Sequence, residues 1–94
     1  MTQTMLYVIA YDISDDRRRT KVHTILSGFG EWTQYSLFEC WLDVRELVKL
    51  RARLGQVLRP DEDRVRIYPL CAGCQARVET IGSPPPSEKI TFIS

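Results

Sequence analysis

The sequence predicts a single α+β domain in which one sheet is covered by two helices, and three observations carry that prediction. A continuous apolar and β-branched run, Met5 to Tyr11, reads as a central strand buried on both faces. Two later stretches repeat apolar residues at helical spacing, and segments rich in β-branched and aromatic residues lie between and after them. At 94 residues, 44% hydrophobic and 27% charged, the chain has the size and composition of one domain that builds its own core.

Asp12-Ile13-Ser14 ends the first strand. Ser14 is the expected N-cap of the first helix, with Asp15 and Asp16 complementing its positive end. Val22, Ile25, Leu26 and Phe29 form one apolar stripe, and Gly28 and Gly30 stop the helix. Trp32 to Leu42 predicts one long second strand. Trp32, Gln34, Ser36, Phe38, Cys40 and Leu42 share one face of it; Thr33, Tyr35, Leu37, Glu39 and Trp41 share the other. Asp43 with Glu46 makes a capping box for the second helix, whose buried stripe is Leu47, Leu50, Leu54 and Leu58, closed by Pro60. Val65 and Ile67 alternate with Arg64, Arg66 and Tyr68 in a third strand, where Pro69 marks an edge or a bulge. Arg77 to Ile81 predicts a short fourth strand. A second strand long enough to bend turns this order into a variant of the ferredoxin-like βαββαβ sandwich, spanning residues 1–82. The prolines at 83–87 predict a stiff linker. The β-rich segment 88–94 predicts an extra strand, too short to stand alone and expected to add to a partner subunit's sheet in a homodimer.

Composition narrows the function classes. No stretch approaches the length of a transmembrane helix, and the first residues lack the basic region of a signal peptide, so a cytoplasmic protein without membrane association is expected. Three cysteines, an odd number, argue against a disulfide framework. Cys40 reads as a small buried apolar residue. Cys71 and Cys74 form a single C-A-G-C, which cannot close a tetrahedral metal site without a second copy; it reads as a tight turn with two small side chains. Glycine-rich phosphate loops and dinucleotide fingerprints are absent, and His23, mid-helix and off the apolar stripe, reads as a surface residue.

The net charge is only +1, yet 11 of the 13 cations lie between positions 17 and 66, and nine of those are arginine, whose planar fork suits phosphate. A solvated helix face balanced by Asp and Glu is the bland alternative. Asp12 stands at the C-terminal end of the first strand, where open sheets gather ligands. It could be a plain turn residue, but Ser14 already caps the helix, and helical geometry brings Arg18 and Arg19, not Arg17, to the sheet end near Asp12. One carboxylate is a poor magnesium site, and a two-fold axis beside Asp12 would supply the second.

Tyr7 to Asp16 (YVIAYDISDD), followed by Arg18, Arg19 and Val22, then Gly30, Gln34 to Glu39 (QYSLFE) and Arg66 to Leu70 (RIYPL) ahead of the C-x-x-C, keep an order and spacing that resembles the CRISPR-associated protein 2 family over residues 5 to 82. The resemblance implies a ferredoxin-like homodimer in which the two copies of Asp12 face each other and hold one Mg2+. It implies a metal-dependent endonuclease or endoribonuclease acting on single-stranded RNA or double-stranded DNA, partnered by CRISPR-associated protein 1 in spacer integration. It places Asp12, Tyr11, Arg19 and Phe38 as catalytic residues, Asp12 as the metal ligand, and Lys21 at a basic position of the family. Together with the charge pattern it gives Arg18, Arg19, Lys21, Arg64 and Arg66 as nucleic-acid contacts. Trp32 stands where members sometimes carry a basic residue. A non-catalytic DNA-binding adaptor of the integrase complex and a toxin-like ribonuclease of similar fold are the competing readings.

Overall fold

A computed structural model describes residues 3–82; the linker and the C-terminal strand expected at 83–94 lie outside the described residues. The chain runs β1 (Met5–Asp12), α1 (Asp16–Ser27), β2 (Glu31–Gln34), β3 (Leu37–Leu42), α2 (Val44–Val57), β4 (Arg64–Leu70) and a four-residue helix, α3 (Ala72–Gln75). The strands form one antiparallel sheet in the order β2-β3-β1-β4, the βαββαβ arrangement expected.

The expected long second strand is a hairpin. Tyr35 takes a left-handed backbone conformation (φ 46°) and Ser36 completes the turn, so Trp32–Leu42 becomes two strands. A register shift between Trp32 and Gln34 adds an irregularity on the β2 side. Aromatic and β-branched residues run straight through this turn, which hid it: the sequence carries no Gly or Pro between Glu31 and Leu42. The strand expected at Arg77–Ile81 does not form. After β4 the chain instead turns through α3, and residues 77–82 carry no regular structure.

Two end signals also differ. Asp15, not Ser14, caps α1: its carboxylate accepts from the Arg18 backbone N–H at 2.9 Å. Gly28 ends α1 in a right-handed conformation, so the turn does not need its freedom. Gly30 is required for space. A Cβ there would stand 2.8 Å from Cys40 Cα and closer still to Cys40 Sγ and the Glu39 carbonyl. At α2 the capping box forms in both directions, Asp43 accepting from Glu46 N at 2.8 Å and Glu46 from Asp43 N at 2.9 Å.

Both long helices cover one face of the sheet. Ile9 and Tyr11 of β1 and Phe38, Cys40 and Leu42 of β3 pack there against Val22 and Leu26 of α1 and Leu47, Leu50 and Leu54 of α2, closed by Ile13. Burial of this apolar surface is the main favourable term holding the two layers together. β1 is central, but its two faces differ. Val8 and Ala10 on the second face are only partly buried and Asp12 is exposed, because neither long helix covers that side.

Candidate active site

Asp12 is the last residue of β1 and pairs in register with Arg64 of β4. Strand alternation sends its side chain to the face away from the helices, with Ala10 on β1 and Arg64, Arg66 and Tyr68 on β4. These side chains, with the edge of Tyr11, line a shallow groove of about 310 Å³. Arg66 donates to the Tyr68 hydroxyl at 3.4 Å, which holds the guanidinium proton more firmly. Asp12 is exposed, and among the described residues no hydrogen bond or ion pair engages its carboxylate. Nor does any cluster of three or more His, Cys, Asp or Glu stand close enough to hold a metal ion among those residues. In this groove the described residues of one chain offer a cation one carboxylate, that of Asp12. That fits an ion held between two copies and does not fit a site built by one.

Tyr11, one residue earlier, points the opposite way. Its ring is buried beside Phe38, centroids 6.2 Å apart. Its hydroxyl lies 3.1 Å from His23 Nδ1, and His23 stands edge-on to Phe38 at 5.0 Å. Burial raises the Tyr11 pKa, with the Arg19 charge opposing in part, so the phenol stays neutral at ordinary pH. His23 is thus half-buried and bonded, not the surface residue its helical angle suggested. Strand β2 and the hairpin turn reach over α1 at this point, which the helix periodicity could not show. Tyr11, Arg19, Thr20, His23, Tyr35 and Ser36 line a second pocket of about 450 Å³ on this side.

The expected catalytic residues are accordingly divided between two faces. Arg19 is anchored on the helix side: it donates to the Ile13 carbonyl at 3.0 Å and pairs with Asp16. Phe38 is fully buried, so its ring props Tyr11 and His23 and cannot touch a substrate.

The expected phosphate contacts are divided as well. Arg18 is not available: its guanidinium bonds Asp63 at 2.8 and 3.1 Å and Glu62 at 2.9 Å, tying α1 to the loop before β4. That pairing holds the Asp63 carboxyl below the usual range, aided by the Arg59 N–H. Helical position alone placed Arg18 near Asp12; the carboxylates 45 residues away decide otherwise. Arg64 and Arg66 are exposed beside Asp12, and Lys21 is exposed on α1.

The class this defines is a small ferredoxin-like domain with an uncovered sheet face, at one end of which the Asp12 carboxylate stands beside Arg64 and Arg66. The family model described as CRISPR associated protein Cas2 matches residues 5–78, and the chain belongs to that family. It is 45% identical over 85 residues to the CRISPR-associated endoribonuclease Cas2 1 of Chloroflexus aurantiacus, covering 89% of this chain and 91% of that protein. It is also 45% identical over 80 residues to the CRISPR-associated endonuclease Cas2 2 of Thermus thermophilus, covering 85% and 84%. The crystal structure of Streptococcus pyogenes Cas2 superposes with a TM-score of 0.72 at 31% identity, covering 83% of this chain and all of that one. No described helix is long and apolar enough to cross a membrane.

Proposed function

We propose that this chain is a homodimeric, magnesium-dependent nuclease of CRISPR adaptation that works beside CRISPR-associated protein 1. The observation that carries the reading is the free Asp12 carboxylate at the end of β1, flanked by Arg64 and Arg66. The relatives' names, endoribonuclease and endonuclease, agree with it. Asp12 from each of two copies supplies the anionic oxygens that a hard cation requires. A bound magnesium ion lowers the pKa of its water and polarises a phosphoryl oxygen. Arg64 and Arg66 hold the backbone phosphates of single-stranded RNA or duplex DNA across the same groove. The second copy covers the sheet face that the helices leave open, where Val8, Ala10, Leu37 and Trp41 are partly exposed. β4 is the edge strand next to the groove among the described residues.

One observation favours a second reading, a non-catalytic adaptor that carries duplex DNA for the integrase. Tyr11, Arg19 and Phe38 do not converge on Asp12; they stand on the other side of the sheet. The purified Asp12→Asn protein separates the two readings, assayed for magnesium-dependent cleavage of RNA and duplex DNA and for spacer integration with the partner present. Loss of both cleavage and integration supports the nuclease. Lost cleavage with intact integration makes the adaptor role the physiological one. Retained cleavage eliminates an Asp12-centred mechanism.

A further inference from the structure

The cysteines of the C-A-G-C segment are absorbed by neither reading. Cys71 directly follows β4, and Cys74 lies in the single helical turn that succeeds it. Both are exposed and both are free thiols, whereas Cys40 is sealed in the core. Cys71 Sγ accepts the Cys74 backbone N–H at 3.4 Å. The turn is held by its own backbone, Gln75 N to Cys71 O at 2.8 Å and Ala76 N to Ala72 O at 3.1 Å. Residues three apart in such a turn have Cα atoms about 5–6 Å apart, inside the range a disulfide spans without moving the backbone. Cys71 and Cys74 are both exposed, so reagents in solution can reach them.

We propose that Cys71 and Cys74 form a thiol–disulfide exchange site, whose substrates are small disulfides of the glutathione class. The two sulfurs have different roles. Hydrogen bonds from Cys74 lower the Cys71 pKa and raise that of Cys74, so Cys71 is the nucleophile and Cys74 the resolving thiol. The Cys71 thiolate attacks one sulfur of the external disulfide, forming a mixed disulfide and releasing one thiolate. Cys74 then loses its proton and attacks the Cys71 sulfur, displacing the second thiolate. Two protein thiols are oxidised to one disulfide, one external disulfide is reduced to two thiols, and the two protons pass to the released thiolates. Cys40 takes no part: burial pushes its pKa up to about 12 and removes it from reagents.

The test uses the full chain, reduced, freed of reductant and equilibrated over graded ratios of reduced to oxidised glutathione, then acid-quenched, alkylated and weighed intact. Wild type should lose two of its three alkylatable thiols together, with the mass of one intrachain disulfide. Cys74→Ser should instead accumulate a glutathione adduct on Cys71. Cys71→Ser should give a smaller yield of adduct on Cys74 under the same conditions, since Cys74 lacks the backbone N–H that Cys71 Sγ accepts. Circular dichroism of the native oxidised protein should match that of the reduced form, since the turn already has the required geometry. Three alkylatable thiols at the most oxidising ratio would overturn the proposal. So would equal adduct yields in the two single variants, or a disulfide joining two chains in place of one within the chain.

Discussion

Phe38 separates a catalytic residue from a core residue most sharply. Family resemblance gives it a catalytic role, while the structure buries it completely between Tyr11, His23 and the α2 leucines. Truncating a fully buried phenylalanine to alanine removes its transfer free energy and leaves a cavity, about 3–5 kcal/mol. Two ring contacts, to Tyr11 and His23, are lost within that sum. For a domain of this size each kcal/mol moves the midpoint of thermal unfolding by about 4–8 °C, so the midpoint of Phe38→Ala should fall by roughly 12–40 °C. Phe38→Leu keeps most of the volume and should cost about 1–2 kcal/mol. Unfolding is followed by circular dichroism at one fixed protein concentration, since dimerisation would add to apparent stability. Cleavage is measured well below each midpoint. If the ring is a prop, the leucine variant cleaves within a few-fold of wild type. A leucine variant of wild-type stability with no cleavage would refute this, because the packing would then be kept while the activity was lost.

Three other outcomes follow from the same geometry. Gly30→Ala drives a Cβ into the β3 backbone and should cost about 1–3 kcal/mol by denaturant titration, whereas Gly73→Ala should be nearly neutral in the same experiment. Glu39 should carry a pH signature: burial, with the nearby Glu31 charge, raises its folded pKa above the unfolded value, so its penalty is absent below the ordinary carboxylate range and complete above the folded pKa. Glu39→Gln should therefore raise stability at neutral pH and change nothing in acid; equal gains at both would show that charge is not the cause. Replacing Arg64 or Arg66 by Ala should flatten the salt dependence of duplex binding by about one unit each, while Arg18→Ala should leave the slope unchanged and reduce the acid-side stability loss tied to the depressed Asp63 pKa.

The elements whose signals were local were legible in the sequence. The Asp43/Glu46 box, the Leu47-Leu50-Leu54 stripe and the buried alternation of Phe38, Cys40 and Leu42 all stand where pattern placed them. Each depends on neighbours within four residues. Most of what failed depended on distant partners or on a turn without turn residues; the α1 cap, Asp15 in place of Ser14, is the local exception. The hairpin at Tyr35-Ser36 is imposed by pairing of β2 on β3, and it overrides the strand propensity of Trp32–Leu42. Arg18 was placed by helical angle near Asp12 but is captured by Asp63 and Glu62, carboxylates whose approach only the fold decides. His23 looked exposed because the residues that enclose it, Tyr11, Phe38 and Trp32, come from β1, β3 and β2.

The alternation of β1 has a further consequence for mechanism. Tyr11 and Asp12 are adjacent in sequence, yet a strand must send them to opposite faces, so one joins the core and the other meets solvent. A substitution at Tyr11 therefore reaches Asp12 only through the backbone of β1, by shifting the strand end that presents the carboxylate. The same holds for Phe38, which packs against Tyr11, and for Arg19, which ties α1 to the carbonyl of Ile13 just beyond the strand. These three residues fix where β1 ends and how the turn after it runs, and that in turn fixes the position of Asp12. Loss of cleavage on mutating them is compatible with a site containing no protein group but Asp12 and the arginines of β4. In the proposed dimer the second carboxylate comes from the other copy's Asp12, and the geometry of the subunit interface is then part of the chemistry.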